Sequence, residues 1–289
     1  MRRVLFLRDG GLGDCLFVLP LIESVRAAYP GAEIVYAATR RFLPVLALSV
    51  ARPTCVAIEA TVSHLLFAAN PPDSVLQPLT GYDRVFTFHG DEQFLRNAQQ
   101  AGVVRYLDPR PSDHIVSHLS RILDEDRIPL VTEVPSLRTH GRPSDPSCVF
   151  IHPGGGTGRK RWPVSNYAPL LGGLRERFPG IRPVLLLGEA EADLSGQLSC
   201  LFDEVVDRAP LETLPASLAD RRYLGMDSGI THLAAASNAR VLALFGPTDP
   251  RIWAQRRSNY NYLHAAQTEQ LDCQEVLDRI ASLIRHETD

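Results

Sequence analysis

Residues 4–20 read VLFLRDGGLGDCLFVLP, in which an apolar run leads directly into a glycine-rich turn. The run Val4–Leu7 has the length and composition of a buried strand. Apolar residues recur at helical spacing over Cys15–Tyr29, and a second apolar run follows at Ala32–Ala38. Strand, glycine turn, helix and strand in this order form a β-α-β unit, which predicts a parallel sheet.

The second half of the chain repeats this order after a polar, proline-rich stretch at residues 131–146. Cys148–Ile151 is another short apolar run, a triple glycine follows it, and Asn166–Phe178 has helical spacing. A polar stretch rich in proline is typical of a connection between domains. We therefore predict an α/β protein of two domains, residues 1–140 and residues 147–289.

Weaker patterns predict further elements in both halves. Apolar runs predict strands, and apolar residues at a spacing of about 3.6 predict helices. The further predicted strands are Val85–Phe88, Pro183–Leu187, Arg222–Gly225 and Val241–Phe245, and the further predicted helices are Asp113–Leu123, Ile230–Ala236 and Thr268–Arg285.

The composition excludes several classes of protein. With 289 residues, 45% of them hydrophobic, the chain can bury the cores of two domains. A net charge of −3 is not the basic excess that nucleic-acid-binding proteins carry. The five cysteines are scattered and form no C-x-x-C pair, so we expect reduced thiols. No apolar stretch approaches the roughly 20 residues that span a bilayer and none has the pattern of a signal peptide, so we expect a cytoplasmic protein.

The first glycine turn differs from a dinucleotide-binding fingerprint. Leu16 stands where the third glycine is expected, and Glu33 precedes the second strand instead of ending it, which disfavours a nicotinamide enzyme. Asp14 lies between the carboxyl end of a strand and a helix, where α/β sheets bind ligands. Its carboxylate can act as a general base, or it can be a first-turn residue that the helix dipole favours.

The second glycine turn, HPGGGTGRKRW at residues 152–162, is not a P-loop, because Arg159 follows Gly158 where a lysine is expected. Glycines after a strand expose backbone N–H groups that can bind phosphate oxygens, and three consecutive cations supply countercharge. This chemistry suits a diphosphate. The alternative interpretation is a flexible basic loop on the surface.

The third segment, GMDSGITH at residues 225–232, has Asp227 at the position that a nucleophilic serine occupies in G-x-S-x-G, which disfavours a serine hydrolase. Asp227 and Ser228 are typical of a helix N-terminus, whose N–H groups attract anions. Capping alone would explain both residues. His232 either faces the same ligand or lines the interior of the helix.

Several other residues have ordinary structural interpretations. His114 and His118 lie four positions apart on a predicted helix and could share a metal, but no further ligand pattern lies nearby, so we interpret them as a solvated face. Trp162 and Trp253 are interpreted as packing residues, and Arg256–Arg257 as a surface charge pair.

Together these segments resemble the heptosyltransferase family, glycosyltransferase family 9. The similar segments occur in the family's order and are RDGGLGDCLFVLP (8–20), HPGGGTGRKRWP (152–163), LLLGEAEADL (185–194), GMDSGITHLAAA (225–236) and ALFGPTDP (243–250). The resemblance implies the GT-B fold, in which two Rossmann-like β/α/β domains face each other across a central cleft.

The resemblance also implies roles for individual residues. It implies that Asp14 is the general base of an inverting, metal-independent transfer and that Lys160 is a catalytic contact of the donor phosphates. It implies a ribose-binding acid after the strand Pro183–Leu187, where Glu189 and Glu191 both qualify. The other residues implied at the donor site are Gly154, Gly155, Gly156, Thr157, Asp227, Ser228, Gly229 and His232, and those implied on the acceptor side are Arg8, Gly11 and Gly13.

The resemblance therefore predicts an enzyme whose C-terminal domain holds a nucleotide sugar, expected to be ADP-heptose, and whose N-terminal domain holds a lipopolysaccharide core or related glycan. We expect no cofactor beyond the nucleotide sugar, no metal, no nucleic-acid partner and at most peripheral contact with the inner face of the inner membrane. The alternatives are a GT-B-type nucleotide-sugar epimerase and a non-catalytic nucleotide-sugar-binding protein.

Overall fold

The computed structural model of the protein describes residues 1–61, 64–100, 104–139, 145, 147–156 and 158–285. The chain divides into two compact units, Met1–Leu137 and Arg138–Asp289, here called the N-terminal and C-terminal units. Of the predicted connection at residues 131–146, residues 140–144 and 146 lie outside the described residues.

The N-terminal unit contains a five-stranded sheet with the order β3-β2-β1-β4-β5, in which all the described pairings are parallel. Five of the six residues of β1 are buried, as expected for a central strand of a parallel sheet covered on both faces. The strands are β1 (Arg3–Arg8), β2 (Glu33–Ala38), β3 (Thr54–Ala57), β4 (Arg84–Thr87) and β5 (Val104–Tyr106), and the helices are α1 (Leu12–Leu16), α2 (Leu19–Ala28), α3 (Leu43–Leu46), α4 (Ile58–Thr61), α5 (Asp73–Thr80), α6 (Glu92–Gln100) and α7 (Ile115–Ser120).

The C-terminal unit contains a six-stranded sheet with the order β11-β10-β9-β6-β7-β8, and its described pairings are also parallel. Its core joins buried residues of the central strands to helices α8 and α13. The strands are β6 (Cys148–His152), β7 (Arg182–Leu187), β8 (Glu204–Asp207), β9 (Arg222–Met226), β10 (Arg240–Phe245) and β11 (Tyr260–His264), and the helices are α8 (Tyr167–Arg177), α9 (Ala192–Leu198), α10 (Leu214–Leu218), α11 (Gly229–Ala236), α12 (Pro250–Trp253) and α13 (Cys273–Arg285).

The strands predicted from apolar runs are present, but three predicted helices are shorter or divided. The helix predicted over Cys15–Tyr29 is two helices, because Pro20 lacks an N–H and its ring would clash, in a continuous helix, with the carbonyl of Leu16, where α1 ends. The helix predicted from Thr268 begins only at Cys273, since the carboxylate of Asp272 accepts a hydrogen bond from the Glu275 N–H (2.9 Å) and starts a new helix there. The third, predicted over Asp113–Leu123, is α7 followed by a 3₁₀ segment.

The apolar pattern of the sequence did not predict the strands β3, β5, β8 and β11, which are the edges of the two sheets. Edge strands are half covered, so their sequences need fewer apolar residues than central strands do. In β8, for example, three of the four residues are exposed. Within the described residues, no helix combines the length and the apolar character that crossing a membrane would need.

Candidate functional site

A cluster of polar side chains lies at the carboxyl ends of the central strands of the C-terminal unit. Asp227 directly follows β9, and its N–H donates to the carbonyl of Leu244 in β10 (2.9 Å). Lys160 Nζ donates to Asp227 Oδ2 (2.7 Å), and the Thr248 hydroxyl donates to the same oxygen (2.6 Å). His232 Nε2 lies 3.6 Å from the other carboxylate oxygen. One buried carboxylate therefore holds a lysine, a threonine and a histidine together.

The charge of Asp227 is stabilised by these neighbours. Burial by itself raises the pKa of the Asp227 carboxyl, but its interactions with His232 and Lys160 outweigh burial and hold that pKa below its ordinary value near 3.8. The Asp227 side chain is 6% exposed, whereas that of Lys160 is 26% exposed. Lys160 is therefore fixed by a buried anion while part of its side chain still reaches solvent.

Helix α11 begins directly beside this cluster. Ser228 is its N-cap, and the serine hydroxyl accepts a hydrogen bond from the Thr231 N–H (3.3 Å). Gly229 is the first residue of the helix, and the buried His232 lies one turn later. The predicted capping role thus applies to Ser228, while the carboxylate of Asp227 is engaged by Lys160 and Thr248.

The glycines after β6 are required by close packing. A Cβ on Gly154 would lie 2.2 Å from Glu191 Oε1, and a Cβ on Gly155 would lie 2.8 Å from the carbonyl oxygen of Lys160. Gly156 has a φ of +72°, a conformation that favours glycine. The predicted donor residue Thr157 lies outside the described residues. The loop therefore folds back tightly on Lys160.

The two candidate ribose-binding acids occupy different environments. Glu191 is buried, and its carboxylate accepts a hydrogen bond from the Gly188 N–H (3.0 Å) beneath Gly154. Glu189 is exposed at the start of the same 3₁₀ turn. Spacing in the sequence did not distinguish the two acids as candidates for the ribose contact. Burial does distinguish them, since Glu191 is engaged inside the protein while Glu189 faces solvent.

The N-terminal unit places Asp14 at the carboxyl end of β1. The Asp14 carboxylate accepts hydrogen bonds from the Gly11 N–H (2.9 Å) and from Arg8 Nη2 (2.8 Å). Arg8, predicted on the acceptor side, is 6% exposed, so the guanidinium that contacts Asp14 is itself buried. Gly13 is inside α1, next to Asp14. Asp14 keeps 33% of its side chain exposed, so a carboxylate held at two points still reaches solvent.

The sequence profile of glycosyltransferase family 9 (heptosyltransferase) matches residues 129–283, more than half of the chain, and this range contains the cluster around Asp227. The chain belongs to glycosyltransferase family 9. The family predicted from the glycine-rich segments is confirmed, and the protein is a glycosyltransferase.

Three lipopolysaccharide heptosyltransferases 1 are similar to this family 9 chain in sequence. That of Salmonella typhimurium strain LT2 is 26% identical over 294 residues, which cover 86% of this chain and 90% of the relative. That of Escherichia coli K12 is 30% identical over 143 residues, 47% of this chain and 43% of the relative. That of Pseudomonas aeruginosa is 35% identical over 112 residues, 37% of this chain and 31% of the relative.

Solved structures share the fold over both units of the family 9 chain. A family 9 glycosyl transferase from Veillonella parvula has a TM-score of 0.80 at 15% identity, covering 98% of this chain and 97% of its own. The E. coli ADP-heptose lipopolysaccharide heptosyltransferase II has a TM-score of 0.77 at 19% identity and full coverage of both chains. The E. coli heptosyltransferase WaaC with ADP has a TM-score of 0.76 at 19% identity, covering 97% and 99%. The predicted GT-B fold class is confirmed.

The sequence did not indicate the roles of two polar groups of the family 9 chain. Thr248, which follows β10, contacts Asp227. In the N-terminal unit, His89 Nδ1 lies 3.1 Å from Asp9 Oδ2, beside the rings of Phe67 and Phe94. Thr248 follows β10 and contacts a residue after the neighbouring strand β9, and His89 follows β4 and contacts a residue after the neighbouring strand β1. These contacts depend on the order of the strands, which the sequence does not show.

Two interpretations of charged residues were wrong. His114 and His118 are 3% and 7% exposed instead of forming a solvated face, and His118 Nε2 lies 2.7 Å from the Asp108 carbonyl. Arg257 is half-buried and donates to the Ala235 carbonyl, so only Arg256 of that pair is on the surface. For His118 and for Arg257, a neighbouring carbonyl thus satisfies the polar side chain inside the protein. Trp162 is a packing residue, as predicted, and its Nε1 donates to the Leu271 carbonyl (3.1 Å).

Proposed function

We propose that this glycosyltransferase transfers heptose from ADP-heptose to a lipopolysaccharide core or related glycan, with inversion at the anomeric carbon. The observation that carries the proposal is the ion pair between Lys160 and the buried Asp227, which fixes a cation beside a glycine loop and a helix N-terminus. Support for the donor and acceptor comes from the names of the similar proteins, which are lipopolysaccharide heptosyltransferases.

The donor is proposed to lie along the carboxyl edge of the C-terminal sheet. Backbone N–H groups of Gly154–Gly156 and the start of α11 at Gly229 suit the oxygens of a diphosphate, because both present donors to an anion. The exposed Glu189 is proposed to accept hydrogen bonds from the ribose hydroxyls, since Glu191 is already engaged with Gly188. Lys160 supplies countercharge to the diphosphate.

The chemical step is proposed to be a single displacement. The Asp14 carboxylate takes the proton of an acceptor hydroxyl as that oxygen bonds to the anomeric carbon. The bond from the anomeric carbon to the diphosphate oxygen breaks in the same step, and ADP leaves with the charge that Lys160 stabilises. Arg8 holds Asp14 in position. We propose that no metal or further cofactor takes part, and that the enzyme acts in the cytoplasm with at most peripheral contact with the inner membrane.

The test is incubation of the purified protein with ADP-heptose and lipopolysaccharide from heptose-deficient bacteria, followed by mass spectrometry of the glycan. We expect a gain of one heptose, unchanged by EDTA, and a loss of this product in Asp14→Asn with ADP affinity retained. Other nucleotide sugars serve as donor controls. Conversion of ADP-heptose without acceptor would indicate an epimerase, and donor binding with no turnover on any acceptor would indicate a binding protein.

A further inference from the structure

A pocket of about 390 Å³ opens at the edge of the C-terminal sheet, where β10 and β11 end. This volume lies within the range of about 300–1,000 Å³ that small-molecule pockets have. None of the proposed donor contacts lines it. The lining residues are Pro247, Asp249, Pro250, Arg251, Tyr262 and His264.

The order of the strands relates this pocket to the proposed donor. Glu189 follows β7, the glycine loop follows the neighbouring β6, and Asp227 follows β9, which is next in the sheet. A donor with its ribose at Glu189 and its diphosphate at the loop therefore directs its sugar toward β9 and β10. Thr248, which contacts Asp227, directly precedes the pocket residue Asp249. The pocket therefore lies next to the strand ends toward which the proposed donor would direct its sugar.

The side chains in the pocket suit a sugar ring. Tyr262 is 43% exposed, and its ring packs against Phe245 with 5.8 Å between ring centroids. The Arg251 guanidinium is held by both carboxylate oxygens of Asp249, from Nε (3.1 Å) and from Nη2 (2.7 Å). An aromatic ring offers an apolar face, while the remaining guanidinium N–H groups and the exposed His264 can bond hydroxyls. The pocket therefore combines one apolar face with hydrogen-bonding groups, of which the Arg251 guanidinium is held by Asp249.

Helix capping explains only part of this arrangement. Asp249 accepts a hydrogen bond from the Arg251 N–H (2.8 Å) and starts the short helix α12, which needs neither the guanidinium nor an exposed ring nearby. Resting on the proposed function, we propose that the pocket binds a sugar of the acceptor glycan that neighbours the sugar being modified. The C-terminal unit then contributes to acceptor recognition as well as to donor binding.

The test compares Tyr262→Ala, Tyr262→Phe and Arg251→Ala with the wild type in the transfer assay with heptose-deficient lipopolysaccharide. We expect KM for the acceptor to rise about tenfold in the two alanine variants, with kcat and ADP affinity little changed, because a contact shared by ground and transition states is lost. Tyr262→Phe keeps the ring and is expected to keep most of the affinity. Arg208→Ala is the matched control, since Arg208 is an exposed arginine beside an aspartate at the far edge of the same sheet.

An unchanged KM for the acceptor in both alanine variants would overturn the proposal. A loss of ADP affinity as large as the rise in the acceptor KM would also overturn it, because the pocket would then belong to the donor site. A wild type that transfers no sugar contradicts the proposed function and is a separate outcome. In that case titration calorimetry with deacylated heptose-deficient lipopolysaccharide decides on the pocket. Binding by the wild type that Tyr262→Ala loses supports the pocket, and no binding, or equal binding by both, overturns it.

Discussion

Lys160 Nζ and Asp227 Oδ2 are 2.7 Å apart although 67 positions separate the two residues in the chain. The ion pair joins the glycine loop after β6 to the end of β9, which are neighbouring strands of one sheet. Because the carboxylate is buried and the ammonium is partly exposed, the pair orients a cation toward solvent at the edge where α/β sheets bind ligands.

Replacing Asp227 with asparagine should destabilise the protein markedly. The substitution removes the buried anion that Lys160 and Thr248 contact, and we expect a loss of about 2–4 kcal/mol in the free energy of unfolding. Asp193→Asn is the matched control, because Asp193 pairs with Arg161 on the surface, where ion pairs contribute little. Urea unfolding followed by circular dichroism measures both variants. Equal losses in the two would contradict a structural role for the buried pair.

Two glycines of one loop should respond differently to the same change. Gly155→Ala brings its Cβ against the backbone of Lys160, so the loop must shift, and we expect ADP affinity to fall about tenfold or more. Within the residues that the structure describes, a Cβ on Gly158 meets no atom within 4 Å, so Gly158→Ala should bind ADP like the wild type. Isothermal titration with ADP tests the pair. Similar affinities in both variants would show that loop geometry does not govern donor binding.

Arg8 should act on transfer only through Asp14. We expect Asp14→Asn to lower the transfer rate about 10²- to 10⁴-fold, and Arg8→Ala to lower it less. The double variant should be no slower than Asp14→Asn, because the salt bridge that Arg8 makes no longer has an anionic partner. Arg40→Ala, an exposed arginine after β2, is the control and should combine additively with Asp14→Asn. Additive losses for Arg8 would mean that it has a separate role.

His152 should make stability depend on pH. Burial lowers the pKa of this imidazole from its ordinary value near 6.5, so the folded protein takes up this proton at a lower pH than the unfolded chain does. The unfolded chain is protonated near pH 6.5, so stability is full above that pH and falls as the pH drops toward the lowered pKa of the folded state, by at most about 1.4 kcal/mol per pH unit. Melting temperatures between pH 8 and pH 5 should fall less steeply in His152→Asn than in the wild type.

The control for this pH experiment is His264→Asn, which replaces an exposed histidine at the end of β11. We expect the curve of His152→Asn to fall less steeply than the curve of this control. Equal slopes in the two variants would mean that His152 is not the group that titrates.

The sequence was sufficient to predict the α/β class, the central strands and the glycine turns that follow them. These features are local, because an apolar run of a few residues and the turn after it depend on neighbouring positions alone. It was not sufficient to predict β3, β5, β8 and β11, because edge strands that the rest of the protein covers only in part have a weak apolar pattern. The division of the first predicted helix at Pro20 was also local, and the missing N–H of proline could have predicted it.

The sequence indicated which residue types form the candidate site, but it did not indicate how they are arranged. Asp14, Lys160 and Asp227 were recognised by type and by position in similar segments, whereas the contacts of Thr248 with Asp227 and of Asp9 with His89 required the order of the strands. Sequence spacing favoured neither Glu189 nor Glu191 as the ribose-binding acid. Tertiary packing buries Glu191 beneath the glycine loop and leaves Glu189 exposed. Burial and the adjacency of strands are set by parts of the chain far apart in sequence, so the folded structure alone determines which side chains face solvent at the site.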